Sequence, residues 1–148
     1  MKEEGALLAG EMSGHIFFND RYFGYDDAIY ASLRLIEIVK KAGKPYGLKK
    51  LLYGVKNMST TPEIRIICKD EKKFMIIEKI KECFQNFECN FTDGLRVDFK
   101  KGWALIRASN TQPALVLRFE AETENDLEEI KNIVHQKLFE VFQFFKLL

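Results

Sequence analysis

Three strand-like segments follow one another between residues 95 and 121, and they constrain the fold more than any other feature of the chain. Leu95, Val97 and Phe99 alternate with Arg96 and Asp98, the period of a strand with one buried face. Lys100-Lys101-Gly102 connects it to a second segment at residues 103–107, and a third spans residues 114–121 with Leu115, Leu117 and Phe119 on one side. Connections this short join antiparallel neighbours, because a parallel crossover needs a dozen residues or more. Residues 63–68 are β-rich and alternate, which adds a fourth strand. Residues 70–87 have helical character with Phe74, Ile77, Ile80 and Phe84 on one face. A last helix is capped by Thr123 with Asp126 three residues on. It carries Leu127, Ile130, Val134, Leu138, Val141 and Phe145. The order β-α-β-β-β-α predicts an α+β unit, an antiparallel four-stranded sheet with two helices against one face.

The preceding third of the chain is organised differently. Residues 6–9 (Ala-Leu-Leu-Ala) form an apolar run that suits a buried strand, and Ile16-Phe17-Phe18 form a second. A helix is expected over residues 26–42. Asp26 and Asp27 suit its positive end, Lys40 and Lys41 its negative end, Gly43 stops it, and Ile29, Leu33 and Ile36 form a stripe. A short helix near residues 48–55 follows, and Asn57-Met58-Ser59-Thr60-Thr61-Pro62 has the composition of a linker.

Composition narrows the function classes. The 148 residues are 47% hydrophobic and 30% charged, as in ordinary globular proteins. A net charge of +1 argues against nucleic acid or an anionic membrane surface as partner, so any anion must be held by a local constellation. Thirteen Phe imply apolar faces larger than a small isolated domain covers. The three Cys, at 68, 83 and 89, form no CxxC and no disulfide framework. His15 and His135 lack supporting ligands at metal spacing. No signal peptide or membrane-spanning run is visible, and the cytoplasm is the expected compartment.

Two segments carry chemistry. In Gly10-Glu11-Met12-Ser13-Gly14-His15, three side chains with hydrogen-bonding capacity stand two apart, so extended backbone would point them to one side. A carboxylate, a hydroxyl and an imidazole together suit a polyhydroxylated ligand. The same residues also suit a plain polar loop. In Arg107-Ala108-Ser109-Asn110-Thr111-Gln112-Pro113, between two strands, a cation, two hydroxyls and an amide can surround an anion with backbone N–H groups. A turn that merely satisfies its own polar groups would use similar residues.

Taken in order, these segments resemble the α-D-phosphohexomutase superfamily, in its bacterial phosphomannomutase/phosphoglucomutase branch. Gly-Glu-Met-Ser-Gly-His, then Phe17-Phe18 and Gly24-Tyr25-Asp26-Asp27, is similar to the sugar-binding loop and following helix of that superfamily's third domain. Thr61-Pro62-Glu63-Ile64-Arg65 resembles the entry to the fourth domain. Arg107-Ala108-Ser109-Asn110-Thr111-Gln112-Pro113-Ala114-Leu115, with Phe119-Glu120-Ala121, is similar to its phosphate-binding loop. The resemblance implies the C-terminal part of a mixed α/β third domain at residues 1–56, a hinge linker at 57–62, and a TBP-like fourth domain at 63–148. It implies that Glu11, Ser13 and His15 bind the sugar, with His15 near the reacting phosphate. Arg107, Ser109, Asn110 and Thr111 would hold the phosphate at the other end.

The implied reaction interconverts hexose 1-phosphates and 6-phosphates of mannose or glucose. A phosphoserine donates its phosphoryl group, and a hexose 1,6-bisphosphate turns around as intermediate. No Thr-Ala-Ser-His-Asn-Pro-like serine loop and no Asp-Gly-Asp-Gly-Asp metal loop occurs in the chain, so Mg2+ would belong to the parent enzyme and not to these residues. The expectation is a substrate-binding fragment, inactive alone, with an incompletely covered third domain that favours self-association. The alternative is a non-enzymatic sugar-phosphate-binding or protein-interaction module.

Overall fold

The structure, a computed structural model, describes residues 1, 4–11, 14–43 and 47–146. It divides into two compact units, Met1–Val55 and Lys56–Leu148.

In the first unit, β1 (Leu8–Gly10) and β2 (Ile16–Phe18) pair antiparallel, with Ala9 opposite Phe17. α1 (Ala28–Ala42) starts at Asp27, whose carboxylate accepts from the Tyr30 N–H at 2.9 Å, a side-chain cap on one of the first-turn donors. Lys40 and Lys41 lie in its last turn. Asp20 and Glu37 fix Arg34 and Arg21 at 2.7 and 2.6 Å, and these guanidinium partners pull both carboxyls down to about 2. The stripe Ile29, Leu33 and Ile36 is exposed, and no residue of α1 is buried. Residues 6–9 were expected to form a buried strand. Instead the strand begins at Leu8, and Leu7 and Leu8 are exposed, because within this unit only β2 flanks them. α2 is the single turn-and-a-half Gly47–Leu51, shorter than the 48–55 span expected.

The second unit is a sheet with two helices on one face. The four expected strands are β4 (Ile64–Ile67), β6 (Leu95–Phe99), β7 (Gly102–Ala108) and β8 (Ala114–Ala121). Two short strands extend the sheet, β3 (Ser59–Thr60) and β5 (Glu88–Asn90). The order is β3-β8-β7-β6-β5, with β4 also on β8, all antiparallel. Part of the stretch expected as a linker, 57–62, is therefore tied down. Ser59 and Thr60 pair with β8, the Thr61 N–H donates to Phe119 O, and Thr61 Oγ1 accepts from the Phe119 N–H at 3.1 Å.

α3 (Asp70–Cys83) and α4 (Glu124–Phe144) cover the face carrying Leu95, Val97, Ala104, Ile106, Leu115, Leu117 and Phe119. Burying each aliphatic side chain of α4 (Leu127, Ile130, Val134, Leu138, Val141) contributes about 1.5–3 kcal/mol. α3 corrects one expectation. Phe74 is 58% exposed, and the core stripe is Lys73, Ile76, Ile77, Ile80 and Phe84.

Candidate functional site

The loop after β1 is a tight hairpin. The Glu11 N–H donates to His15 O at 2.9 Å, the Gly14 N–H donates to Glu11 O at 3.0 Å, and Gly14 holds φ at +90°. These two hydrogen bonds turn the chain between Glu11 and His15, where extended backbone was expected. Met12 and Ser13 lie outside the described residues. His15 is fixed from the next element: its Nδ1 stands 2.5 Å from Asp26 Oδ2, and Asp26 is bridged to Phe17 through the backbone. The carboxylate orients the imidazole and leaves the other ring nitrogen for a ligand. Sequence reasoning gave Asp26 only a helix-end role, because pairing across 11 residues requires knowing how α1 leaves β2.

The second candidate loop joins β7 to β8 at residues 109–113. Ser109 is buried, and its N–H donates to Ala114 O at 2.9 Å. Its Oγ accepts from the N–H groups of Thr111 at 3.4 Å and Gln112 at 3.1 Å, and the Ala114 N–H donates to Gln112 O at 2.8 Å. The nest of N–H donors expected here is thus narrower. Those of Thr111 and Gln112 face the Ser109 hydroxyl, which organises the turn and keeps its own proton to donate. Asn110 and Thr111 are exposed at the tip. Gln112 is held by a hydrogen bond from Arg65 Nη1 to its Oε1, and Arg65 in turn meets Glu63 at 2.8 Å.

Arg107 is the penultimate residue of β7, its side chain 30% exposed, with Nε 3.7 Å from Asp93 Oδ2. Asp93 belongs to the turn before β6, which sequence reasoning treated as a connection only. Gly94 sets that turn against β7 with φ at +76°. Within this unit the loop therefore presents a guanidinium, an amide, two hydroxyls and a carboxylate counter-ion. Groups of this kind can surround a tetrahedral oxyanion, and Asp93 stands beside the guanidinium at 3.7 Å.

Among the described residues no group of three His, Cys, Asp or Glu could hold a metal ion. Cys68, Cys83 and Cys89 are free thiols, and burial pushes all three above the ordinary thiol range, which makes them poor nucleophiles at neutral pH. No helix among the described residues is long and apolar enough to cross a membrane. A shallow cavity of about 260 Å³ at the β6–β7 turn is lined by Lys101, Asp126 and Ile130 among others. There the Lys101 ammonium is already paired with Asp126 at 2.8 Å.

Residues 63–137 match the family described as phosphoglucomutase/phosphomannomutase, C-terminal domain, and residues 1–54 match its alpha/beta/alpha domain III. The chain is 51% identical over 140 residues to a phosphomannomutase/phosphoglucomutase of Pseudomonas syringae pv. tomato, covering 93% of this chain and 30% of that one. It is 45% identical to a phosphoglucomutase of Neisseria gonorrhoeae, covering 89% of this chain and 29% of that one. A crystal structure of a phosphoglucomutase/phosphomannomutase family protein from Burkholderia thailandensis superposes with a TM-score of 0.79 at 38% identity, covering 95% of this chain and 29% of that one. The chain spans about 30% of the length of the curated relatives it matches. Two adjoining family regions matched in register, with relatives at this identity, establish that the chain belongs to the phosphoglucomutase/phosphomannomutase family.

Proposed function

We propose that this chain supplies the substrate-holding part of a hexose-phosphate mutase. In it, Arg107, Ser109, Asn110 and Thr111 hold a phosphate monoester while Glu11, Ser13 and His15 address the sugar hydroxyls. The observation that carries this is the β7–β8 loop, where a guanidinium paired only at 3.7 Å with a carboxylate flanks an exposed Asn110-Thr111 tip. Residues 1–56 would form the end of the sugar-binding domain, 57–62 the linker, and 63–148 the phosphate-binding domain. The substrates would be mannose or glucose 1- and 6-phosphates, with the 1,6-bisphosphate between them.

A phosphate clamp serves such a reaction by holding either end of the intermediate. Charge-assisted hydrogen bonds contribute about 1.5–3 kcal/mol each, so two of about 2 kcal/mol each give a dissociation constant on the order of 1 mM. That is firm enough to retain a bisphosphate that is also bound elsewhere, and weak enough to release a product. Phosphoryl transfer itself needs a nucleophile and charge stabilisation that these residues do not provide, so the chain alone is expected to show no mutase turnover. The free thiols suit a reducing compartment, consistent with the cytoplasm.

The test is a titration of the purified chain with inorganic phosphate, followed through amide resonances. Shifts concentrated at residues 107–111 with millimolar affinity are expected. Absence of shifts at tens of millimolar phosphate would leave only a structural turn.

A second reading follows from α1. Ile29, Leu33 and Ile36 are 78%, 59% and 61% exposed, an apolar stripe of a kind soluble monomers rarely display. The chain is accordingly expected to self-associate at micromolar concentration. Sedimentation as a monomer at several hundred micromolar would contradict this.

A further inference from the structure

Beneath the phosphate loop lies a buried cation that the readings above do not use. Lys73, on the first turn of α3, is 4% exposed and stands on the helix face that carries Ile76, Ile77 and Ile80. Its ammonium donates to Ser109 O at 2.7 Å and to Gln112 O at 3.4 Å, and it pairs with Asp70 Oδ1 at 2.7 Å. An ammonium has three donors and no acceptor, so these three partners saturate it. Burying a cation is unfavourable unless it is paired and hydrogen-bonded. An apolar side chain at this position would pack α3 against the sheet without that desolvation. What the lysine adds is a grip on two carbonyls of one five-residue loop.

The peptide group turns that grip into a function. In a planar trans peptide the C=O and the following N–H point in opposite directions. Because Ser109 O is drawn inward to Lys73, the Asn110 N–H is turned away from the helix, toward the exposed tip of the loop. The N–H groups of Thr111 and Gln112 face the Ser109 hydroxyl, so the Asn110 N–H is the loop donor directed outward. The ammonium behind the same peptide also polarises it, which strengthens that N–H as a donor to an anion.

We propose that Lys73 is a positioning residue for the phosphate clamp. It fixes the Ser109–Asn110 peptide with its N–H outward and places an ammonium behind the loop, without touching the ligand. This role rests on the phosphate reading of the loop, and Asp70, largely exposed, balances the charge from the solvent side.

The experiment compares the full chain with Lys73→Met and Lys73→Gln, using inorganic phosphate as probe and amide spectra as readout. In Lys73→Met the sheet resonances persist, the Asn110 amide shifts or broadens before any ligand is added, and phosphate binds about tenfold or more weakly, the loss expected for one charge-assisted contact. Lys73→Gln retains a donor without the charge and falls between the two. It becomes the deciding variant if Lys73→Met does not fold. Phosphate affinity within about twofold of the unaltered chain in a folded variant, with the Asn110 amide unmoved, would overturn the proposal and leave Lys73 a core staple. If the unaltered chain shows no response to phosphate, the phosphate reading fails on its own. The unliganded Asn110 amide in Lys73→Gln still decides the positioning role, since displacement supports it and coincidence refutes it.

Discussion

Gly94 shows how one residue can set the geometry of a site it does not join. Its φ is +76°, and a Cβ there would lie 2.7 Å from Arg107 Cβ and 2.8 Å from Arg107 Cα. The turn therefore lies directly on β7, and this contact brings Asp93 to the Arg107 guanidinium. Gly94→Ala is expected to destabilise the second unit by about 1–3 kcal/mol from backbone strain alone, and by more once the contact with β7 is included. A urea midpoint unchanged from the parent would show that the turn is not held against β7. The turn itself is legible in Thr92-Asp93-Gly94, but its target is not. That depends on the β6–β7 register, in which Leu95 faces Ile106. Lys73 was hidden for a different reason. The α3 sequence allows two stripes one residue apart, and a lysine is ordinarily assigned to solvent, so Phe74 was placed inside where the structure buries its neighbour.

At the scale of elements, α4 was the most readable part of the chain. Its apolar period predicts a face of Leu127, Ile130, Val134, Leu138, Val141 and Phe145, of which the first five are buried and Phe145 is partly so, and its cap forms as the spacing implies. Thr123 Oγ1 accepts from the Asp126 N–H at 3.2 Å, while the Thr123 hydroxyl donates to the Asp126 carboxylate at 2.5 Å. Thr123→Ala should lower stability by about 1 kcal/mol, a fall in Tm of roughly 4–8 °C for a unit of this size. Calorimetry that finds no change would mean the cap is immaterial.

The Asp126 carboxyl is held below the usual carboxylate range, first by the Lys101 ammonium and then by Thr123. A depressed folded-state pKa contributes stability that is present above the unfolded value, near 4, and lost as pH falls through the folded one. The gap between Asp126→Asn and the parent should accordingly be open at pH 7 and close below about pH 4. The strands of the first unit were less readable. Residues 6–9 have the composition of a buried strand, but burial depends on what flanks them, and within this unit only β2 does.

For the molecule as a whole, the two units carry different parts of the account. The second has its own core under α3 and α4 and holds the β7–β8 loop. The first leaves α1 without buried residues and holds the hairpin with His15. Composition alone says little about the partner, since a net charge of +1 conceals the local pairing of Arg107 with Asp93. The matches at residues 1–54 and 63–137 show the family, and under the proposed function the hairpin addresses a sugar while the β7–β8 loop addresses a phosphate.

The most direct test of that link is calorimetric titration of the chain, and of Arg107→Ala, with glucose 1-phosphate and glucose 6-phosphate. A clamp that serves a reorienting intermediate should bind both esters with dissociation constants of about 1 mM, within a few-fold of each other, and removing the guanidinium should weaken both by about 10- to 100-fold. Absence of heat for either ester, or binding that survives Arg107→Ala undiminished, would contradict the assignment.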